Sequence, residues 1–181
     1  MKIREAKRGE LDRIMEIYSS AKRFMEEHGN QNQWTGDDTV RREKIEAMLE
    51  KGQLFAGEED GTIHFVFAYI QGDDPTYRVI TDGAWLNDAP YGTIHRLASA
   101  GTVRGVVKMA ADWALSRNPN LRIDTHHDNT VMQNALVKAG FQRCGVIYLE
   151  NGDPRVAYQI IRKNTENLFD AGQQYRQGKG V

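Results

Sequence analysis

Three places in the 181 residues combine chemistry-bearing side chains with a spacing that could use them. His95 stands in an apolar run that also holds Ile94, Leu97 and Ala98, and Arg96 follows it directly. Imidazole titrates near neutrality, so His95 is the first candidate for a general base; a structural histidine satisfied by hydrogen bonds is the equal alternative. His126-His127-Asp128 sets three metal-ligating types in a row. Adjacent histidines on a turn rarely converge on one ion without further ligands, so no metal is expected. The third place is residues 92–112, GTIHRLASAGTVRGVVKMAAD, which read as a strand, a loop with two glycines and a helix. Such a loop presents backbone N–H groups that have no helical partner. With the helix dipole they attract an anion such as a pyrophosphate. Gly105, lacking a Cβ, lets the backbone approach a phosphate closely. A nucleophilic role for Cys144 would need an activating base, and none is near in sequence, so packing is expected there.

These residues need a frame to hold them. Residues 2–6 read as a short strand. Residues 8–28 carry Leu11, Ile14, Met15, Tyr18, Ala21 and Met25 at helical spacing, and Gly29 closes the helix. A polar loop over 29–38 holds Gln33 and Trp34, and a second helix covers 39–50. Strands at 53–57 and 62–70 flank the turn signal EEDG. Residues 72–90 are irregular, carry Trp85, leave room for a short strand at 77–81, and lead to Tyr91. Thr102 is expected to cap a helix over 104–116, with Val107, Ala110, Ala111 and Ala114 on one side. A buried strand at 121–125 follows the breaker Pro119, and Thr125 is expected to face the core. Asp128 or Asn129 caps a helix over 130–139 that Gly140 ends. Strands at 141–149 and 155–161 carry Tyr148 and Arg155 around a hairpin turn. Strands precede, interrupt and follow the helices, which makes one mixed α/β domain over 1–163 with a polar tail over 164–181.

Composition narrows the class. A net charge of −1 gives no basic excess, so nucleic acid is not expected as the main partner. No apolar run approaches ~20 residues, so no membrane span is expected. The charged start MKIREAKRGELD lacks the apolar core of a secretory signal, and the single cysteine excludes an internal disulfide. A cytoplasmic setting is the expectation.

Residues 92–112 and 121–141, the latter LRIDTHHDNTVMQNALVKAGF, together resemble the GNAT superfamily of N-acetyltransferases over residues 1–161. The family's loop pattern, Q/R-x-x-G-x-G/A, falls on residues 102–107. Gly105 matches, Thr102 stands for Gln/Arg, and Val107 stands for Gly/Ala. The second stretch keeps the family's strand, Asp-Asn turn, helix and Gly-Phe. The resemblance implies a central, mostly antiparallel twisted sheet of six to seven strands flanked by about four helices. It implies acetyl-coenzyme A as cofactor. Leu97, Ala98 and Ser99 would pair with the pantetheine arm. Gly101, Thr102, Val103, Arg104, Gly105 and Val106 would hold the pyrophosphate. Asn129 would contact the arm or support its turn while capping its helix.

Acetyl transfer to an amine needs the donor held beside the amine and a hydrogen-bond donor for the developing oxyanion. It also needs a base for an amine whose pKa in water is ~10.4. The resemblance keeps His95 first for that role and His126 in reserve. Many members place a tyrosine, the usual acid for the departing thiolate, five residues before the Phe of Gly-Phe. Here that position is Leu136, so the proton would come from Tyr148 or water. Gln33, Trp34, Trp85, Tyr91 and Arg155 lie where an acceptor pocket would form, with packing as the alternative for each. The expectation is direct attack in a ternary complex on a small primary amine or amino-acid-like acceptor, in a fold whose members are often homodimers. A protein or peptide N-acetyltransferase, a coenzyme A-binding module without catalysis, and a plain interaction domain stay open.

Overall fold

In the computed structural model, which describes residues 1–30, 34 and 40–162, seven strands make one sheet. They are β1 (Lys2–Glu5), β2 (Leu54–Glu59), β3 (Thr62–Gln71), β4 (Gly92–Ser99), β5 (Asn120–Thr125), β6 (Gln142–Tyr148) and β7 (Pro154–Ile161). Their order is β1-β2-β3-β4-β5-β7-β6, and every neighbouring pair is antiparallel except β4 and β5. Four α-helices accompany the sheet among the described residues: α1 (Leu11–Glu27), α2 (Arg42–Glu50), α3 (Val106–Leu115) and α4 (Thr130–Lys138). This is the mixed plan the sequence implied. Gln33, the start of the helix expected at 39, and the tail over 164–181 lie outside the described residues. No described helix is long and apolar enough to cross a membrane.

Alternation along the strands sorts the core into two layers. Successive strand residues face opposite ways, so Phe65 and Phe67 of β3 bury on one face while Val66 and Ala68 bury on the other. The Val66 face receives the stripe Leu11, Ile14, Ile17, Tyr18 and Met25 of α1, with Ile45 and Met48 of α2. The Phe65 face receives Val107, Ala110, Ala111 and Ala114 of α3 and Leu136 of α4. Each fully buried aliphatic or aromatic side chain contributes roughly 1.5–3 kcal/mol. The parallel pair β4 and β5 cannot be joined by a tight turn, and α3 supplies the crossover.

Two local expectations are corrected. Thr102 does not cap α3: its Oγ1 lies 2.7 Å from His64 Nδ1, and the N-cap is Gly105 at φ 74°. Residues 77–81 hold no strand. Pro75 sets φ for a 3₁₀ turn over Pro75–Tyr77, which Asp74 caps by accepting from the Thr76 N–H. One bridge, Thr81 to Val146, is all that follows there.

Leu136 is wholly enclosed, in the same cluster as Phe141 and Val107. Leu136→Ala should therefore lower the unfolding free energy by about 2–5 kcal/mol in a urea titration. A loss below 1 kcal/mol would contradict its place in the core.

Candidate active site

The site begins where two strands part. The β4–β5 ladder holds at Gly92–Leu121 and Thr93–Arg122 and then ends. On its other side, β4 pairs His95 with Ala68 and Ala98 with Val66, so Arg96 and Leu97 together oppose Phe67. That extra residue is a β-bulge. It flips the facing of the strand: Ile94 packs in the Phe65 layer, while Ala98 packs in the opposite one. Arg96 adopts φ 53°, a left-handed conformation that costs a non-glycine residue roughly 1–2 kcal/mol. Tyr18 of α1 donates its hydroxyl to the Arg96 carbonyl at 3.1 Å and so ties the bulge to the helix layer. Burial pushes the Tyr18 pKa up, which keeps it a donor.

A cavity of about 330 Å³ opens in this gap. Residues 94–97 of β4 and Ile123, Asp124 and Thr125 of β5 line its sides. Met25 and Trp34 line it too, as do Asn129 and Met132 at the start of α4, Arg155 of β7, and Asp74. Thr125 is buried, and it lines the cavity as well as the interior.

Within the gap, His95 Nε2 lies 2.9 Å from Asp74 Oδ2. Asp74 also accepts from Thr76, from the backbone N–H at 2.9 Å and from Oγ1 at 2.7 Å. Burial alone would raise the Asp74 carboxyl; the hydrogen bonds from His95 and Thr76 overcome it and bring its pKa down to about 2. An ionised carboxylate can only accept, so Nε2 carries the proton of His95. In the neutral ring Nδ1 is then the free lone pair. Nδ1 faces Asp124 Oδ1 at 3.9 Å, too far for a hydrogen bond. Asp124 Oδ1 instead accepts from the Tyr77 hydroxyl at 2.7 Å. Burial and the neighbouring Asp124 charge hold the Tyr77 hydroxyl protonated.

The loop before α3 keeps its glycine geometry. Gly101 and Gly105 have φ 77° and 74°, and nothing stands within 4 Å of where a Cβ would be at either. The fold thus demands their handedness and leaves the space beside them open. The Gly101 N–H donates to Ser99 Oγ at 3.1 Å. Thr102, Arg104 and Gly105 are exposed, and α3 starts with no side-chain cap. Val107, at the family's small position, turns into the core and leaves the loop clear. Asn129 caps α4 by accepting from the Met132 N–H at 3.0 Å, as its sequence position suggested.

Of the other expected site residues, Trp34 and Arg155 reach the cavity. Trp85 and Tyr91 do not line it. The Arg122 guanidinium lies over both rings, at 4.1 and 4.0 Å. Trp85 Nε1 donates to the Tyr77 carbonyl at 2.9 Å, and Tyr91 Oη accepts from the Asp74 N–H at 2.9 Å. They secure the loop that delivers Asp74. Tyr148 is corrected too: the pleat turns Ile147 and Leu149 inward, leaving Tyr148 at 47 % exposure outside the cavity lining. His126 is buried beside the cavity but outside its lining, and the Asp128 N–H donates to its Nδ1 at 3.2 Å. Burial, then the nearby Arg155 charge, lowers its pKa. His126, His127 and Asp128 place ligand atoms within 4.8 Å of one another, but that Nδ1 lone pair is already engaged. Cys144 is buried, and burial raises its thiol pKa.

Sequence reasoning missed Asp74, Asp124 and Tyr18. For Asp124 a signal existed, a carboxylate inside a strand read as buried. For Asp74 there was little, since it reaches His95 across 21 positions.

No family model matches the chain, and no curated protein matches it. Solved structures do. A GNAT-family acetyltransferase of Streptococcus agalactiae is 33 % identical with a TM-score of 0.82, over 90 % of this chain and 96 % of that one. A GNAT-family acetyltransferase of Bacillus cereus is 20 % identical with a TM-score of 0.61, over 90 % and 98 %. The protein yncA of Salmonella typhimurium, solved with its cofactor acetyl-CoA, is 15 % identical with a TM-score of 0.60, over 91 % and 95 %. At the first of these similarities, the chain belongs to the GNAT family of acetyltransferases.

The Asp74–His95 contact can be checked without substrate. A depressed carboxyl pKa adds stability above its unfolded value near 3.9, and that stability is lost as pH falls through about 2. Between pH 5 and pH 2, wild-type stability should fall by on the order of 2 kcal/mol more than that of Asp74→Asn, by urea unfolding. Parallel curves for the two proteins would rule the contact out.

Proposed function

We propose that this protein is an acetyl-coenzyme A-dependent N-acetyltransferase whose acceptor is a small primary amine or amino-acid-like molecule. The observation that carries the reading is the Asp74–His95 pair facing Asp124, whose Oδ1 stands 3.9 Å from His95 Nδ1, so that one ammonium nitrogen placed to the side of the two atoms could touch both. Family membership supplies the prior for the cofactor. The open space at Gly101 and Gly105, the uncapped start of α3, and the β4 edge freed from β5 suit a pyrophosphate followed by an extended arm. Leu97, Ala98 and Ser99 would meet that arm, residues 101–106 would hold the phosphates, and Asn129 would flank it.

When bound, the coenzyme would supply an acetyl group on sulfur; as the C–N bond replaces the C–S bond, the leaving sulfur takes up one of the two protons the ammonium sheds and His95 the other. The protein's own residues do the rest. Asp124 holds the incoming ammonium. Asp74 fixes the His95 tautomer, and Nδ1 takes the proton that makes the amine nucleophilic. The bulge at Arg96 and Leu97 turns backbone groups out of the regular ladder beside the reacting centre. Trp34 and Met25 limit water on the acceptor side.

Thiol release from acetyl-coenzyme A, read over a panel of amines, tests the assignment. His95→Gln should lower kcat about 10²–10⁴-fold on the best acceptor. An unchanged rate in that variant would remove His95 from the chemistry; silence across the whole panel would leave a binding module. Coenzyme A at 100 times its Kd should raise the unfolding free energy by about 2.7 kcal/mol. Gly105→Val should cost the free protein about 1–2 kcal/mol through its φ and abolish most of that ligand-induced gain. A full gain in the variant would place the phosphates elsewhere.

A further inference from the structure

We propose that the acceptor is an α-amino acid, with its carboxylate on Arg155 and its ammonium between Asp124 and His95; this rests on the acetyltransferase reading above. Arg155 is only 6 % exposed, yet its fork is poorly filled. Among the described residues it makes one hydrogen bond, from Nη1 to the Pro154 carbonyl at 3.2 Å. Its two acidic neighbours stand too far away to bond: Asp124 Oδ2 is 3.9 Å from Nε, and Asp153 Oδ2 is 4.0 Å from Nη2. None of its remaining N–H donors is sealed off in the interior, and Arg155 lines the cavity, so a ligand there can take them up. A carboxylate matches that planar fork with two parallel hydrogen bonds.

The same looseness recurs on the other side of Asp124. His95 Nδ1 also stops at 3.9 Å, while the Tyr77 hydroxyl holds Oδ1 in place. Asp124 therefore sits between a base and a cation, spaced 3.9 Å from each. An α-amino acid carries its ammonium nitrogen and carboxylate carbon about 2.5 Å apart, so it can meet both neighbours at once. The alternatives fit less well. A diamine has no acceptor to offer the guanidinium, so it leaves the Arg155 donors unused. A peptide or protein N-terminus has no carboxylate at that distance, which leaves the guanidinium unfilled. The cavity of about 330 Å³ lies at the small end of ligand pockets and must also admit the acetyl end, which suits one residue.

The test is a matched panel on the full chain, read by thiol release from acetyl-coenzyme A. It comprises the twenty proteinogenic α-amino acids, their C-terminal amides and the corresponding decarboxylated amines. For the best set, kcat/KM for the acid should exceed both relatives by about 100-fold or more, since a site built to bind a charged group rejects analogues lacking it. Arg155→Gln should shrink that ratio to a few-fold, and Arg155→Lys should retain an intermediate value. A ratio of two substrates on one sample does not depend on how much of the variant folds, and the wild-type panel decides alone if neither variant does. Amides or amines that match the acid overturn the proposal and leave the enzyme standing. So does an undiminished ratio in Arg155→Gln. No thiol release with any compound removes both.

Discussion

The site exists because β4 leaves β5 after Thr93 and gains a residue at Arg96. Opening a sheet between two central strands sacrifices ladder hydrogen bonds in the interior, where backbone groups are costly to leave unpaired. The molecule meets that cost in three ways. The β5–β7 ladder runs unbroken to Thr125, so the far wall stays rigid. The Tyr18 hydroxyl takes up the Arg96 carbonyl at the bulge. The Asn129 side chain completes the first turn of α4 at the mouth of the gap. The opening is thus an ordered feature with supports from three separate elements.

The polar groups in the gap are loosely paired. Asp74 and His95 touch, whereas the separations of Asp124 from His95 and Arg155 exceed a hydrogen bond. In a low-dielectric setting such near-pairs keep much of their attraction without satisfying their donors. Preorganisation of this kind removes the reorganisation a flexible site would undergo on binding.

The loop over 72–91, which brings in Asp74, is held by interactions that never reach the cavity. Arg122 stacks between Trp85 and Tyr91. Gln159 accepts the Leu86 N–H at 2.7 Å and donates to Asn120 Oδ1 at 2.7 Å, while Asn120 donates to the Ala89 carbonyl at 3.1 Å. Buried polar networks of this sort fix one arrangement, because every alternative strands a donor or acceptor. Trp85 and Tyr91, for which the sequence left pocket wall and packing both open, anchor the loop that carries Asp74.

Local order was legible in the sequence. The helical stripe of α1, the alternation in β3 and the Asn129 cap follow from periodicity and from backbone sterics within a few residues, whereas the left-handed Gly105 that starts α3 in place of a Thr102 cap does not. His95 was also legible as a candidate from its imidazole chemistry, and Arg155 from its place on the last strand pair. The meeting of Asp74 with His95, the exposure of Tyr148 and the role of Tyr18 were settled by the tertiary structure. Each depends on where a loop closes or how a strand is phased, and one inserted residue at the bulge reverses that phase. Sequence spacing measures distance along the chain, whereas these contacts are fixed by packing across it.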